Sequence, residues 1–160
     1  MISWVQIPVK DLKRAARFYE EVFGASFFFE TLNGKPHAVF TEDTYGRKAL
    51  NGALVEFSDM EIGFGPRLFF DATRRFDPIL DKVLIYGGQI KTPKTLIKMK
   101  KEGALAEIPR TYIDDETGYF AHFIDCEGNN MGLYGSYSNP LLFSCVVTAS
   151  LSLLSLLFAF

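Results

Sequence analysis

The feature that most constrains this chain is a strand–helix unit at residues 2–24 that recurs later in the sequence. Residues 2–9 are rich in β-branched and aromatic side chains, which favours a strand. Asp11 follows where a helix N-cap belongs, and Gly24 can adopt the left-handed conformation that often ends a helix. Between them, apolar residues recur at the spacing of a helix with one buried face. The members of that face are Leu12, Ala15, Ala16, Tyr19, Val22 and Phe23.

The second copy begins at residues 67–71, a strand candidate with the sequence RLFFD. Asp77 is the predicted N-cap of a second helix, with Pro78 at its first position, where a missing amide costs little. Its buried face is supplied by Ile79, Leu80, Val83 and Leu84, and Gly87-Gly88 ends it. An offset of about 65 residues between the copies indicates an internal duplication. Two unrelated strand–helix units would give the same pattern.

Further strands complete each copy. In the first, residues 25–31 and 37–41 flank Asn33-Gly34, a strong hairpin turn, and residues 52–57 form the last strand. In the second, strands are expected at residues 89–94, 119–125 and 131–135. Residues 58–66, rich in glycine, link the copies. We therefore expect one domain over residues 1–140, with modules at about 1–58 and 66–136. The long segment at residues 95–118 is a solvated loop or a flap over a site.

Composition limits the classes of function. A chain of 160 residues with 48% apolar residues and sixteen Phe can bury a wide aromatic core. The net charge of -2 argues against a nucleic-acid partner. Cys126 and Cys145 have no metal-ligand spacing and cannot form a disulfide framework. No basic start precedes an apolar run at the N-terminus, so we expect a cytoplasmic protein.

Residues 141–160 form an uncharged apolar tail that is long enough to cross a bilayer. No Lys or Arg flanks it to orient it in a membrane. Four of its five hydroxyl residues share one helical stripe, which suits a helix packed against protein; they are Ser144, Thr148, Ser152 and Ser155. The tail is thus a packed or dimer-contacting apolar helix, a membrane anchor, or an extension with no role. Only through it would the protein contact a membrane.

Four stretches resemble the glyoxalase/bleomycin-resistance/extradiol-dioxygenase group, the vicinal oxygen chelate superfamily. They are IPVKDLKRAARFYEEVFG (residues 7–24), GALVEF (52–57), LIYGGQIKTPKT (84–95) and FAHFIDCEGNNMGLYG (120–135). The resemblance implies an α+β fold in which two βαβββ modules form a curved sheet around a cup. It also implies a homodimer and, in the enzymes of the group, a divalent metal on the cup floor.

The resemblance further implies where metal ligands would stand, at Trp4, Glu56, Arg67 and Gly132. A divalent ion needs several His or carboxylate donors at about 2.0–2.2 Å. Trp and Gly offer no donor, and Arg is a fixed cation. A single carboxylate cannot hold the ion, so we expect no metal and no cofactor.

Strand alternation extends these positions to a predicted cup lining. Aromatic walls with a few convergent polar groups are typical of a small-molecule site. His122, which the resemblance turns toward the cup, is the best candidate for a general base. The predicted ligand-binding residues are Trp4, Gln6, Glu56, Arg67, Phe69, His122 and Tyr134.

Structural roles would explain the same residues. Trp4 would then belong to the core, Glu56 and Arg67 would pair with each other, and His122 would be a hydrogen-bonded structural residue. Cys126 has no base beside it in sequence, so a nucleophilic role has no support.

Two functional hypotheses remain. The first is a metal-independent binding protein of the glyoxalase/bleomycin-resistance type, which holds an aromatic or anionic ligand in the cup through the Arg67 guanidinium. The second is a lyase or isomerase that uses His122 as general base.

Overall fold

The structure is a computed structural model that describes residues 2–42, 50–57, 62–63, 65–100, 102–103, 105–109 and 117–137. The predicted C-terminal helix at residues 141–160 lies outside these ranges. Within them, no helix is both long enough and apolar enough to span a membrane. The chain divides into two compact units, one of Met1–Thr95 with Tyr119–Gly135 and one of Leu96–Gly118 with Ser136–Phe160. In the second unit, Met99 and Ile108 form an isolated antiparallel bridge.

The first sheet has four strands and one helix. The elements are β1 (Val5–Val9), α1 (Leu12–Phe23), β2 (Phe27–Leu32), β3 (Lys35–Phe40) and β4 (Gly52–Glu56). The spatial order of the strands is β1-β4-β3-β2. β1 and β4 are parallel, whereas β2, β3 and β4 pair antiparallel. The sheet is therefore mixed.

The second sheet repeats this arrangement. Its elements are β5 (Leu68–Asp71), α2 (Phe76–Ile85), β6 (Gln89–Leu96), β7 (Thr117–Ile124) and β8 (Asn130–Tyr137). The strand order is β5-β8-β7-β6, with β5 parallel to β8. Both halves thus follow one topology, as the recurring strand–helix unit predicted. The fold is α+β, with two four-stranded mixed sheets and two helices.

The boundaries of α1 agree with the prediction. The Asp11 carboxylate accepts a hydrogen bond from the Arg14 amide at 3.0 Å, and Gly24 has the left-handed φ of 72°. The expected apolar face is buried except at Phe23, which is half-buried. Phe18, which the spacing analysis omitted, is also buried.

The start of α2 corrects the prediction. The N-cap is Arg75, which makes no side-chain capping bond, and the helix begins at Phe76. Phe76 is fully buried in the core, and this burial fixes the start of the helix. Asp77 lies inside the first turn, and its carboxylate instead accepts a hydrogen bond from Lys94 at 2.8 Å. Pro78 stays within the first turn, where its missing amide has no intrahelical acceptor.

One hydrophobic core joins both halves of the first unit. It contains the buried faces of α1 and α2 together with one face of each sheet. Tyr19 lies at its centre, with its ring within 5.3–5.9 Å of the rings of Phe18, Phe23, Phe40 and Phe70. Such aromatic clusters bury large apolar areas, so neither half completes this core by itself.

The turn between β7 and β8 ties the second half to the start of the first helix. The buried Asp125 carboxylate accepts the amides of residues 127–129 at 2.8–2.9 Å and the Tyr19 hydroxyl at 2.8 Å. Asn129 donates from its side chain to the Pro8 carbonyl at 2.9 Å. These bonds satisfy groups that would be costly to bury unpaired.

Glu127 completes the same junction. Its carboxylate accepts the backbone amides of Lys10 and Asp11, at 2.7 and 3.2 Å, and the Arg14 guanidinium at 2.7 Å. The Glu127 side chain is fully buried, whereas that of Arg14 is half-exposed. One carboxylate from the second half therefore binds the entrance to α1 in the first.

Candidate functional site

The candidate site lies on the face of the second sheet that is turned away from the helices. Leu68 and Phe70 of β5, with Met131 and Leu133 of β8, belong to the shared core or pack against it. Because side chains alternate along a strand, the residues between them point to the opposite face. We call this opposite face the distal face. On β5, on the residue before it and on β8, this face carries Arg67, Phe69, Asp71, Asn130, Gly132 and Tyr134.

Strand register arranges these side chains in three rows. Phe69 pairs with Gly132, and Asp71 pairs with Tyr134. The Asp125 amide donates to the Asn129 carbonyl at 3.0 Å, which sets the register of the antiparallel β7–β8 hairpin. Continued along the hairpin, this register puts His122 of β7 opposite Gly132 and Phe120 opposite Tyr134. The rows are Arg67–Asn130, then Phe69–Gly132–His122, then Asp71–Tyr134–Phe120.

The middle row depends on the absence of a side chain at Gly132. A Cβ atom there would lie 2.5 Å from two atoms of the Phe69 ring, so this ring leans over the glycine. Across the glycine, the rings of Phe69 and His122 are 5.8 Å apart and meet edge to face at 72°. Phe120 adds a second ring, 5.1 Å from that of His122. The result is an aromatic wall in which the Phe69 ring covers the backbone at Gly132.

His122 is the titratable group at the centre of this wall. It is half-buried, and its Nδ1 lies 3.2 Å from the Thr92 hydroxyl. Partial burial and then the nearby charge of Arg67 lower the pKa of His122 from its ordinary value. Both effects disfavour the imidazolium. Both causes therefore favour the neutral form of the ring.

A groove of ≈ 160 Å³ runs beside the Arg67–Asn130 row. Residues 5–8 of β1 line one side, and Leu68 with residues 129–131 lines the other. β1 and β5 are edge strands of their sheets, so the groove follows two sheet edges. Gln6 lines this groove together with Asn130 of the distal face.

Trp4 and Glu56 occupy other positions. Trp4 precedes β1 and is 45% exposed, which does not fit the alternative of a core residue. Glu56 shares the strand face of Leu54, which belongs to the core, and pairs with the buried Val9. Strand alternation therefore places Glu56 on the helix side of the first sheet. Gln6 points to the opposite side, because its neighbour Ile7 belongs to the core. The structure brings together Arg67, Phe69 and His122, with Tyr134 on the same face.

The structure also bears on two alternative roles, an ion pair between Glu56 and Arg67 and a nucleophilic role for Cys126. Among the residues that the structure describes, Glu56 and Arg67 do not form the ion pair that was considered. Burial, with the charges of Asp125 and Glu127, raises the pKa of the Cys126 thiol to about 12. A thiol with so high a pKa is a poor nucleophile at neutral pH.

Sequence analysis missed Phe120 as a member of this surface. Phe120 lies two residues before His122, so strand alternation could have placed it on the same face. Strand alternation already turns Asp71 to the same side as Arg67 and Phe69, although Asp71 was not among the predicted ligand-binding residues. Neither matched a position implied by the family resemblance.

Residues 1–130 match the sequence model of the Glyoxalase/Bleomycin resistance protein/Dioxygenase superfamily. The chain belongs to this superfamily. A search of curated proteins finds no match.

Solved structures of the superfamily share the fold at low sequence identity. The fosfomycin resistance protein FosX of Listeria monocytogenes, in complex with Mn(II) and sulfate, superposes with a TM-score of 0.56 at 15% identity, covering 86% of this chain and 93% of FosX. A glyoxalase-related enzyme from Fulvimarina pelagi gives 0.54 at 14% identity, covering 88% of each chain. A family enzyme from Burkholderia phytofirmans PsJN gives 0.51 at 18% identity, covering 84% of this chain and 98% of its own.

The superfamily implies a metal centre, and the residues at the corresponding positions do not fit one. Gly132 has no donor atom, and the Phe69 ring fills the space above it. Arg67 is a cation, and Glu56 is on the other side of its sheet from Gln6. Throughout the described part of the chain, no three His, Cys, Asp or Glu side chains are grouped so that they could hold a metal. The distal face is instead aromatic, with one cation at its edge.

Proposed function

We propose that this protein binds a small aromatic or anionic molecule without a metal, in a cup whose floor is the distal face. The observation that supports it is the middle row of that face. Where the superfamily implies a metal ligand, Gly132 and the overlying Phe69 ring replace a donor with an apolar surface. A flat apolar surface with a few polar groups at its rim is the usual composition of a small-molecule site.

Arg67 supplies the charge that such a ligand would meet. Arg67 is exposed and directly precedes β5. Its positive charge is close enough to His122 to lower the pKa of that imidazole. A guanidinium donates two parallel hydrogen bonds to a carboxylate or phosphate, which fixes the orientation of the ligand as well as its affinity.

The test uses the two histidines of the chain as reporters. Protein treated with chelator is titrated with aromatic and anionic compounds while the imidazole NMR signals of His37 and His122 are followed. We expect the His122 signals to shift and those of His37, buried in the first sheet beside the Lys35 carbonyl, to stay constant. Trp4 fluorescence gives an independent readout. If no compound shifts the His122 signals in wild-type protein, the binding proposal is lost.

A second candidate function is supported by the state of His122. An imidazole that is neutral at neutral pH can accept a proton, as a lyase or isomerase acting next to a carbonyl requires. Which ring nitrogen is basic depends on the contact with Thr92: when Nδ1–H donates to the hydroxyl, Nε2 has the free lone pair. For an identified substrate, His122→Gln should abolish turnover and leave binding in place. Retained turnover would rule out this function.

A further inference from the structure

We propose that the ligand of the distal face is a planar aromatic monocarboxylate that carries a hydrogen-bond donor at the opposite end of its ring. This inference rests on the proposed binding function and specifies the class of ligand. It follows from the order of the three rows, which differ in charge and in shape.

The two outer rows have opposite charge. Arg67 stands at one end of the distal face, and the exposed Asp71 stands at the other. Asp71 is four residues further along the extended chain than Arg67, so their Cα atoms are about 13 Å apart. A carboxylate is attracted by the Arg67 end and repelled by the Asp71 end. The ligand therefore has a preferred direction along β5.

The middle row selects a flat ring. Because Gly132 has no side chain, the Phe69 ring lies over its backbone and meets the His122 ring edge to face, so the row presents flat ring surfaces. Aromatic rings prefer edge-to-face or offset-stacked neighbours, and this row offers both an edge and a face. Phe69 is 51% exposed, so its ring has surface left to cover. A saturated ring or a short aliphatic acid would use these surfaces poorly.

The charge count favours a single negative charge. Arg67 is the one Lys or Arg among β5, β7, β8 and the residue before β5. The lysines of this sheet are on β6 at its far edge, where Lys94 donates to Asp77 of α2. Asn130, beside Arg67 in the same row, already donates its side-chain amide to the Gly63 carbonyl at 2.7 Å. The anion would thus be held by one planar guanidinium, which matches a monoanionic carboxylate better than a dianionic phosphate.

The Asp71 carboxylate is the reason to expect a hydrogen-bond donor on the ligand, at the end of its ring opposite the carboxylate. One carboxylate oxygen of Asp71 accepts the Thr73 amide at 2.9 Å. A carboxylate has about four lone-pair positions, so Asp71 retains capacity for an amino or hydroxyl hydrogen of the ligand. This contact would distinguish a ring with a donor opposite its carboxylate from an unsubstituted ring.

The experiment measures the affinities of 4-aminobenzoate, benzoate, benzamide, cyclohexanecarboxylate and inorganic phosphate by calorimetry, with the His122 NMR signals as the site-specific check. We expect 4-aminobenzoate to bind tightest and benzoate next. Arg67→Ala should weaken both by about tenfold or more, because a charge-assisted pair is lost. Asp71→Asn should remove the advantage of 4-aminobenzoate over benzoate. Arg17→Ala, which removes an exposed arginine from α1, is the matched control and should change neither affinity.

The outcomes separate this inference from the function on which it rests. If cyclohexanecarboxylate or phosphate shifts the His122 signals at concentrations equal to or below those needed for benzoate, the aromatic monocarboxylate class is wrong and small-molecule binding at this face stands. An affinity for 4-aminobenzoate that is equal in wild type and Arg67→Ala also contradicts the inference. If none of the five compounds shifts the His122 signals, both the inference and the binding proposal fail.

Discussion

Gly132 affects the distal face through the side chain it lacks. In many proteins a glycine is needed for an unusual backbone angle, but here it lies inside β8 and leaves space for a neighbour. The Phe69 ring uses that space and so reaches His122 on the next strand. One position therefore determines whether two aromatic side chains on different strands can touch.

Gly132→Ala tests this dependence. The new methyl group must displace the Phe69 ring, so we expect a change in the His122 NMR signals and a weaker ligand affinity. Overpacking costs about 1–3 kcal/mol, and the loss in the free energy of unfolding should be near the lower value because Phe69 is half-exposed and can swing outward. Urea denaturation measures the loss. In a Phe69→Ala background the same substitution should cost little, and an unchanged cost there would contradict the steric explanation.

His122 gives a pH dependence of known sign. Its pKa is lowered in the folded protein, so between this value and the ordinary value of 6.5 the unfolded chain binds more protons. The free energy of unfolding should therefore decrease as the pH falls through that interval. NMR titration of the imidazole should give a pKa below 6.5, and Arg67→Ala should raise it because one of the two causes is removed. A pKa at or above 6.5 in wild type would refute the assignment.

At the scale of elements, the β7–β8 turn acts as a cap for a helix that precedes it by more than a hundred residues. Asp11 satisfies one amide of α1, and Glu127 accepts two further amides just before the helix. The N-terminus of a helix favours negative charge, and the buried Glu127 carboxylate supplies it. The start of α1 is thus fixed by a local residue and by a distant one.

Glu127→Ala should therefore destabilise the protein although Glu127 is remote from the distal face. It leaves two backbone amides and the Arg14 guanidinium without their acceptor. We expect a loss of about 1–3 kcal/mol in the free energy of unfolding, measured by urea denaturation. Glu20→Ala, on the exposed face of α1, is the matched control and should cost far less. Similar losses for the two variants would show that the Glu127 contacts contribute little.

The helices and strands also show which features could be predicted from the sequence and which could not. Local patterns predicted α1 with its caps, the Asn33-Gly34 turn and the repeated order of strands, because each depends on residues close together in the chain. The start of α2 was wrong, since burial of Phe76 outweighed the capping signal at Asp77. The inward direction proposed for Glu56 rested on family correspondence, and pairing with Val9 sets it instead. Long-range contacts of this kind leave no local signal.

At the scale of the first unit, the two halves share one core and one polar junction. The rings around Tyr19 come from both halves, and the Asp125 carboxylate binds the Tyr19 hydroxyl. If either half unfolded, the aromatic rings and polar groups of the other half would lose their partners. The halves of this unit are therefore energetically coupled.

This coupling predicts a single cooperative unfolding transition for the first unit. Trp4 fluorescence reports on the first half and the His122 NMR signals report on the second. In urea both should change with the same midpoint, as expected for two-state unfolding. Separate midpoints would show that each half is stable without the other.

The position of Glu127 has a consequence for the order of events during synthesis. Its carboxylate and the Lys10 amide are 117 residues apart in the chain. At a translation rate of about 5–20 residues per second, roughly 6–23 s pass between the appearance of the amide and that of its acceptor. A nascent chain therefore carries an incompletely capped first helix during this interval, in which a chaperone would find the apolar face of the helix accessible.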